Sequence, residues 1–348
     1  MAGKHAEISD RKKEHIELCL TDNARFKNKS AGFDLYDFEH YAITEVDINK
    51  INFKTTFLRK KINYPFLISC MTGGTSKAGN INAELASAAN VLNIPLGVGS
   101  QRQALESDKH LDTYKIIRKK APGIPILGNL GAAQLVKIKP IEKIQSLVDL
   151  VEADAMVIHV NPLQELLQSE GEADFTGLLR RLEKLVQKLK VPVIVKEVSS
   201  GISRKAAQKI LETGVKGIDV AGAGGTSWAG VELLRNENQN DLEFWDWGIP
   251  TAKCIKDIAP MKEYHEFTLI GSGGINSAFD AAKALALGAD IVASARLILQ
   301  TLDKSNVDGV VKLIHNWFET IKKIMFLTGS SNLMEFSHRN NLINKSDL

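Results

Sequence analysis

From residue 64 onward, the chain alternates short apolar runs with longer amphipathic ones. Short apolar runs are typical of buried strands, whereas apolar residues spaced three and four apart predict helices. We predict eight strands, at residues 65–72, 94–100, 124–130, 155–161, 191–198, 217–221, 268–273 and 290–295. The amphipathic runs predict helices at residues 80–92, 109–120, 141–152, 178–189, 203–213, 250–258, 277–287 and 310–327.

Eight strands, each followed by a helix, predict an α/β fold of the (β/α)8, or TIM, barrel type. An open Rossmann-like sheet is the alternative, but residues 71–74, Met-Thr-Gly-Gly, lack the glycine spacing of a dinucleotide site. We therefore predict one barrel over residues 64–348. Residues 1–63 form an N-terminal extension, which we expect to contribute few core-forming residues.

Charge and cysteine content exclude several classes of protein. The 348 residues include 44 basic and 41 acidic ones, a net charge of +3, with no basic surface of the kind that nucleic acids need. Three scattered cysteines fit a reducing compartment. The first residues contain no signal-peptide core, and no apolar stretch is long enough to span a bilayer. We expect a soluble, cytoplasmic protein without nucleic-acid or membrane partners.

The most informative segment runs from residue 159 to residue 165, His-Val-Asn-Pro-Leu-Gln-Glu. Side chains alternate along a strand, so His159 and Asn161 point to the same face. They lie at the carboxyl end of a predicted strand, where barrels place their chemistry. An alternative is a capped helix, with Asn161 as N-cap, Pro162 at the first position and Gln164 completing a capping box. The two interpretations are compatible.

Small or polar residues end all eight predicted strands. Loops need polar residues for solvation, but this regular pattern favours a ligand site. The strand-end groups are Thr72-Gly73-Gly74, Ser100-Gln101-Arg102, Asn129, His159 with Asn161, Lys196-Glu197, residues 222–227, residues 271–274 and Ala295-Arg296.

Glycine clusters follow strands six and seven. Residues 271–274 and Ala295-Arg296 end strands seven and eight, where barrels often bind a phosphate through backbone N–H groups. Two tight turns are the alternative. Residues 222–228 predict a second anion cradle or a mobile flap over substrate. Trp228 argues against a plain surface loop there.

Lys196 is a cation inside an apolar strand. An unpaired buried charge costs several kcal/mol, and neighbouring Glu197 points to the opposite face. Lys196 therefore needs an anionic partner in the barrel mouth, such as a reduced flavin or a phosphate.

Charged residues outside the strands suggest how a diphosphate could bind. The run Arg11-Lys12-Lys13-Glu14-His15 reads most simply as a solvated helix start, but together with Arg102 it could bind a diphosphate. Glu165 is a candidate Mg²⁺ ligand, since Mg²⁺ is usually held by one or two carboxylates plus substrate phosphates.

Taken together, these motifs resemble the type 2 isopentenyl-diphosphate isomerases, flavin-dependent enzymes of isoprenoid biosynthesis. The ordered set extends from residue 11 to residue 296 and so covers most of the chain. It comprises Arg11-Lys12 with His15, residues 71–74, residues 97–102, residues 128–131, residues 159–165, Val195-Lys196-Glu197, residues 224–228 and residues 271–275.

The resemblance implies cofactor and substrate residues at the barrel mouth. The implied FMN contacts are Cys70, Met71, Thr72, Ser100, Asn129, Lys196 and Thr226, with Gly273, Gly274, Ile275, Ala295 and Arg296 near the phosphate. The implied substrate-binding residues are Arg11, Lys12, Ser100, Gln101, Arg102 and Gln164, with Glu165 binding Mg²⁺ and His159 and Asn161 shaping the site. In one departure, Ala221 stands where the family often has a hydroxyl residue, so a cofactor hydrogen bond is in doubt there.

The resemblance further implies interconversion of isopentenyl and dimethylallyl diphosphate by a 1,3-proton shift, with Gln164, His159, Asn161 and Lys196 as catalytic residues. Reduced FMN would supply the acid, NADPH the reducing equivalents, and the chain would form a homo-oligomer, a tetramer or octamer. A flavin-dependent 2-hydroxy-acid oxidase is the second interpretation, although no arginine lies near His159 in sequence. A non-catalytic flavin- or phosphate-binding barrel is the third, and it would not require Glu165.

Overall fold

The computed structural model describes residues 14–71, 73–236, 240–338 and 341–347. Its centre is a closed barrel of eight parallel strands arranged in chain order, which confirms the predicted fold. Each strand is shorter than its predicted run, and all except β3 end before the predicted run does. The strands are β1 Phe66–Ile68, β2 Leu96–Gly97, β3 Ile126–Gly131, β4 Ala155–Val160, β5 Val193–Glu197, β6 Gly217–Asp219, β7 Thr268–Ser272 and β8 Ile291–Ser294.

Eight helices surround the barrel where the sequence predicted them. The last begins earlier than predicted and contains a break at Asn306, whose φ is 55°; asparagine tolerates the left-handed region better than most residues. The helices are α1 Ser76–Leu92, α2 Asp112–Lys120, α3 Glu142–Val151, α4 Leu178–Lys188, α5 Arg204–Glu212, α6 Thr251–Ile258, α7 Ala278–Ala286 and α8 Arg296–Leu327.

Short helices and turns outside this repeat lie at both ends of the barrel. Four short helices follow strands β2, β3, β4 and β6 at the carboxyl end: Arg102–Glu106, Ala132–Lys137, Pro162–Leu167 and Trp228–Arg235. The other helical pieces in the described ranges are residues 14–20, Leu333–His338 and the 3-10 turns Phe33–Leu35, Ile48–Lys50, Asp108–His110, Leu242–Asp246, Ala259–Glu263 and Lys345–Asp347.

The alternation of side chains along the strands produces two cores. One fills the barrel interior and includes Leu127, Val157 and Ile194. The other lies between the strands and the helices and includes Val195 and Ile158. Positions 157 and 194 point inward, so His159 and Lys196, two residues further along, point inward at the mouth.

The N-terminal extension is part of both cores, so the expectation of few core-forming residues was wrong. A hairpin of Thr55–Phe57 and Lys60–Ile62 places Phe57 and Ile62 against the interior core. Phe33 and Phe53 join the outer core. A strand at Tyr36–Phe38 pairs antiparallel with Leu342–Asn344. The extension therefore depends on the barrel for its structure.

Two further features concern the cysteines and the hydrophobicity of the helices. Cys19, Cys70 and Cys254 are free cysteines. Within the described ranges, we find no helix with the length and apolar character required to cross a bilayer.

Candidate active site

A deep cavity opens at the carboxyl ends of the strands and receives side chains from most of them. It encloses about 1390 Å³ of space not filled by protein, part of it open to solvent. The N-terminal segment closes one side with His15, Ile16 and Cys19. Other lining residues that the sequence did not single out as site residues are Ser69, Gln134, Gln168, Val198 and Leu299.

Most of the predicted site residues meet in this cavity. Those in its wall are Cys70, Met71, Ser100, Arg102, Asn129, His159, Asn161, Gln164, Glu165, Lys196, Thr226, Ala295 and Arg296. Arg11, Lys12 and Thr72 lie outside the described residues, and their roles stay predictions.

Gln101 does not line the cavity, in contrast to the prediction. Its side chain is fully buried behind the wall, where Nε2 donates to the Leu147 carbonyl (2.8 Å) and Oε1 accepts from the Asn129 N–H (2.9 Å). Gln101 thus holds the end of β3 in place. This location in the second layer could not be seen in sequence, because Gln101 lies between two residues that do line the cavity.

Gly273, Gly274 and Ile275 are also absent from the cavity wall. The two glycines have positive φ, 96° and 71°, and the backbone at Gly274 packs against Gly224 and Gly225. Gly225 immediately precedes Thr226, which does line the cavity. The two glycines therefore pack against the back of this wall loop, and the place of all three residues at a phosphate stays a prediction.

Lys196 has the anionic partner that its buried position requires, but that partner is a side chain that the sequence analysis missed. Its Nζ lies 3.0 Å from Oδ2 of Asp219 and 3.3 Å from Oγ of Ser272. The Ser272 hydroxyl donates to Asp219 (2.5 Å). Asp219 shows the same signal as Lys196, a charged residue in a buried strand. The ammonium nevertheless also faces the cavity.

His159 is held as a neutral ring. Its Nδ1 donates to Oδ1 of Asn129 (2.8 Å), whose amide nitrogen in turn donates to the Val98 carbonyl. Burial, and after it the charge of Lys196, lower the pKa of His159 to about 4. With Nδ1 carrying the proton, Nε2 is an acceptor. His159 thus contributes an acceptor, not a cation, to the site.

Asn161 begins the helix Pro162–Leu167, but its side chain does not cap it, so the predicted capping box is wrong. Its amide instead donates to Oε1 of Gln164 and Oε1 of Glu165, both at 3.1 Å. The Asn161 Oδ1 is buried without a hydrogen-bond partner in the described part of the chain. An acceptor without a donor, next to a carboxylate in a cavity wall, indicates a place for a cation or a ligand donor.

Glu232 is a second site residue that the sequence analysis missed. It is fully buried in the helix Trp228–Arg235, where its Oε1 accepts from Gln164 Nε2 (2.8 Å) and contacts His15 Nε2 (3.1 Å). Burial raises the pKa of Glu232, but His15, Gln164 and Arg235 outweigh burial, so the pKa lies below its usual value. The sequence signal that could have identified Glu232 is a carboxylate placed among the apolar residues Val231, Leu233 and Leu234.

The glycine-rich segment 222–227 is fastened to the N-terminal segment. Arg25 forms a β-bridge with Thr226, and the Ser227 N–H donates to the Ala24 carbonyl (2.7 Å). A Cβ on Gly224, whose φ is 115°, would lie 2.1 Å from the Ala31 nitrogen, so only glycine allows this approach. Such anchoring does not fit a free surface loop. Ala221, which precedes the segment, is buried with a φ of 34° and does not line the cavity.

Comparison with known proteins defines the class first. The family model of the FMN-dependent dehydrogenases matches residues 136–343. Solved structures with the same fold include the flavin-binding domain of baker's yeast flavocytochrome b2, at a TM-score of 0.68 and 18% identity, covering 94% of this chain and 81% of that one. A mandelate oxidase variant matches at a TM-score of 0.66 and 16% identity, covering 98% of both chains. At these identities the likeness concerns the fold alone.

Relatives of higher identity narrow the assignment. Three proteins named isopentenyl-diphosphate delta-isomerase match almost the whole chain: that of Pelodictyon phaeoclathratiforme at 42% identity (96% of this chain, 97% of that one), that of Nostoc sp. at 42% (97% and 96%) and that of Pseudescherichia vulneris at 44% (95% and 96%). The chain therefore belongs to the isopentenyl-diphosphate delta-isomerase family, within the FMN-dependent dehydrogenases. The resemblance inferred from the motifs is confirmed.

The cavity has features that fit the FMN and the Mg²⁺ that the sequence resemblance implies. Arg296 is buried in the cavity wall, and its Nη1 forms an ion pair with the exposed Asp22 (3.3 Å). Because an ion pair with an exposed carboxylate is weak, the Arg296 guanidinium is available to bind an anionic phosphate. At the opposite side, Glu165 and the unsatisfied Asn161 Oδ1 offer two oxygen acceptors. Oxygen donors of this kind suit Mg²⁺, which completes its shell with water and phosphate oxygens.

Proposed function

We propose that this protein interconverts isopentenyl diphosphate and dimethylallyl diphosphate by a 1,3-proton shift, using reduced FMN and Mg²⁺. The observation that carries the proposal is the group formed by Asn161, Gln164 and Glu165 in one wall of the cavity, with Glu232 buried behind Gln164. This group offers an oxygen site for a metal and a carboxamide held by a buried carboxylate. A site that only bound a flavin would need neither.

FMN, when bound, supplies the acid–base and electron-rich centre that none of the described side chains at the mouth provides for an alkene. The chain's part is to place and stabilise it. Lys196 offers an ammonium inside the mouth, where it would favour the anionic, reduced ring, and Asp219 keeps that ammonium pointed inward. Arg296, in the wall near the start of α8, would hold the phosphate.

The diphosphate would bind at the side of the cavity formed by Ser100, Arg102 and Glu165. Arg102 offers a planar guanidinium, which suits phosphate oxygens. Glu165, with Asn161 beside it, would hold Mg²⁺, which would offset the negative charge of the diphosphate. Arg11 and Lys12, in the N-terminal extension of residues 1–63, would add positive charge to this site. We infer that the extension contributes to diphosphate binding in this way.

The hydrocarbon end would lie against Gln164 and His159. Gln164 Nε2 donates to ionised Glu232, which fixes the carboxamide plane toward the cavity. His159 keeps its proton on Nδ1 in the bond to Asn129, so it presents an unprotonated Nε2 and does not compete as an acid. These side chains orient the substrate and keep stray protons from the alkene.

The test is an anaerobic isomerisation assay of the purified protein with FMN, Mg²⁺ and NADPH as reductant, following allylic product by NMR. We expect turnover only with all three present, since oxidised flavin lacks the required electron density. Glu165→Gln should raise the Mg²⁺ concentration for half-maximal rate at least about tenfold, because one oxygen ligand loses its charge.

The structurally similar oxidases provide the contrasting outcome. Net oxidation of lactate or glycolate by the FMN-loaded protein, with no allylic product, would replace this proposal by a 2-hydroxy-acid oxidase. A Glu165→Gln variant identical to the unmodified protein in every measurement would favour a barrel that binds flavin without this catalysis.

A further inference from the structure

Glu172, in the turn between the helices Pro162–Leu167 and α4, contacts three residues of the cavity wall without lining the cavity itself. Its Oε1 accepts from Arg102 Nη2 (3.2 Å), and its Oε2 accepts from Gln134 Nε2 (3.3 Å). Its backbone N–H donates to Oε2 of Glu165 (2.7 Å). One residue thus connects the guanidinium and the carboxylate to which we assign the diphosphate and Mg²⁺.

The turn that carries Glu172 is built against Glu165. A Cβ on Gly171 would lie 1.8 Å from the Glu165 carbonyl oxygen, so the backbone at residue 171 fits only as glycine. The Gly171 N–H donates to the Gln168 carbonyl (2.9 Å), which closes the turn. This close approach places the backbone N–H of Glu172 within hydrogen-bond distance of the Glu165 carboxylate. It also fixes the position of the backbone from which the Glu172 side chain extends.

The carboxylate of Glu172 orients Arg102 by accepting a hydrogen bond from one edge of its guanidinium. Arg102 Nε donates to Glu106 (3.1 Å) and Nη2 to Glu172, while no described residue contacts Nη1. Two N–H groups on Nη1 therefore remain for a ligand. Lys137 contacts the same carboxylate (3.0 Å), and despite partial burial, which raises it, the pKa of Glu172 is held below its usual value by Lys137, Arg102 and Gln134.

We propose that Glu172 is a positioning residue for the diphosphate end of the site, setting the direction of Arg102 and the rotamer of Glu165 so that a Mg²⁺-bound diphosphate meets both. This inference rests on the proposed function. Its effect is on binding: the reacting end of the substrate lies at Gln164 and His159, which Glu172 does not contact.

The test is titration calorimetry of the FMN-loaded protein with inorganic pyrophosphate and Mg²⁺, together with steady-state kinetics. Glu172→Gln should weaken pyrophosphate binding and raise KM about tenfold, the loss of one charge-assisted contact, with kcat unchanged within about twofold. Glu172→Asp keeps the charge but withdraws the carboxylate by one methylene, and it should weaken binding as well. In an Arg102→Ala background, Glu172→Gln should add less than about twofold.

Glu106→Gln is the matched control, because it removes a carboxylate from the same guanidinium but has no link to Glu165 or Gln134. It should change pyrophosphate binding by less than about twofold, since an exposed i,i+4 pair contributes little. The flavin spectrum and melting temperature should stay unchanged in all these variants.

Three results would overturn the inference: tight binding retained in Glu172→Gln and Glu172→Asp, an equal loss in Glu106→Gln, or a fall in kcat in place of a rise in KM. Each can occur while the unmodified protein isomerises its substrate. An unmodified protein that binds pyrophosphate with Mg²⁺ but does not isomerise would refute the proposed function alone. One that does not bind pyrophosphate would refute both.

Discussion

The two ends of the barrel each carry an ion-paired carboxylate, half-buried at the amino end and buried at the mouth, and they differ in what surrounds the pair. At the amino end, Asp154 accepts from Lys60 Nζ (2.9 Å), Arg118 Nη2 (3.0 Å) and the Ile126 N–H (2.9 Å). At the mouth, Asp219 binds Lys196 and Ser272, and the ammonium of Lys196 also faces the cavity.

Buried polar atoms without a hydrogen-bond partner also distinguish the two ends of the barrel. Two buried side-chain atoms in the described part of the chain have no hydrogen-bond partner, Arg118 Nε and Asn161 Oδ1. Arg118 makes five other hydrogen bonds, four of them to carbonyls, so its guanidinium closes the amino end. Asn161 Oδ1 is an acceptor in a cavity wall. Polar groups stabilise the fold at one end, whereas at the other they are left available to a ligand.

The largest effect is expected at the mouth. Lys196→Met should lower the isomerisation rate at least about 100-fold, because it removes the preorganised cation that we propose for the cofactor. It should also destabilise the fold by about 3 kcal/mol, since Asp219 becomes a buried charge without its partner. Anaerobic turnover and urea unfolding measure the two effects.

The double variant Lys196→Met with Asp219→Asn separates them. Removing both charges should restore most of the stability while the rate stays low. Recovery of the rate in the double variant would mean that the pair is structural, like its counterpart at the amino end.

A smaller effect, on stability alone, is expected at the amino end. Asp154→Asn should lower the free energy of unfolding by about 2 kcal/mol, because three donors lose a charged acceptor. Turnover per folded molecule should not change, since the described partners of the Asp154 side chain, namely Lys60, Arg118 and Ile126, do not line the cavity. A fall in kcat comparable with that of Lys196→Met would break the distinction between the two ends.

A third effect, of about the same size, concerns the pH dependence of stability. Burial first, and Lys196 second, lower the pKa of His159 from 6.5 to about 4. Between these values the unfolded chain binds a proton that the folded chain does not, so the stability that is fully present above pH 6.5 is lost as the pH falls toward 4. His159→Asn keeps a donor for Asn129 but cannot titrate.

We therefore expect the unmodified protein to lose about 2 kcal/mol relative to His159→Asn between pH 7 and pH 4.5. Urea unfolding of both proteins across this range gives the difference directly. Parallel curves would show that His159 is exposed enough to bind its proton in the folded state, and would remove the neutral-ring assignment.

Much of the fold could be predicted because its signals are local. Each strand is a short apolar run, and each outer helix repeats its apolar residues at helical spacing, so the barrel follows from their order. The part missed was the N-terminal extension: Phe33, Phe53 and Phe57 are spread through an irregular segment without period, and only the barrel gives them a common core.

The candidate site divides in the same way. Residues at strand ends, such as His159 and Lys196, could be found because alternation along a strand fixes the side to which they point. Glu232, Asp219 and Glu172 were missed, since each acts on a residue far away in sequence. Gln101 was misplaced for the related reason that a loop residue's direction is set by packing.

The sequence by itself determined the order of strands and helices, the end of the barrel that carries the chemistry and most residues of the cavity wall. Those properties depend on periodicity and on the shared direction of parallel strands. Only the tertiary structure decided which charges are paired, which acceptor is left without a donor and which turn connects Arg102 with Glu165. These depend on distances between side chains that the folded backbone brings together, and no local pattern encodes them.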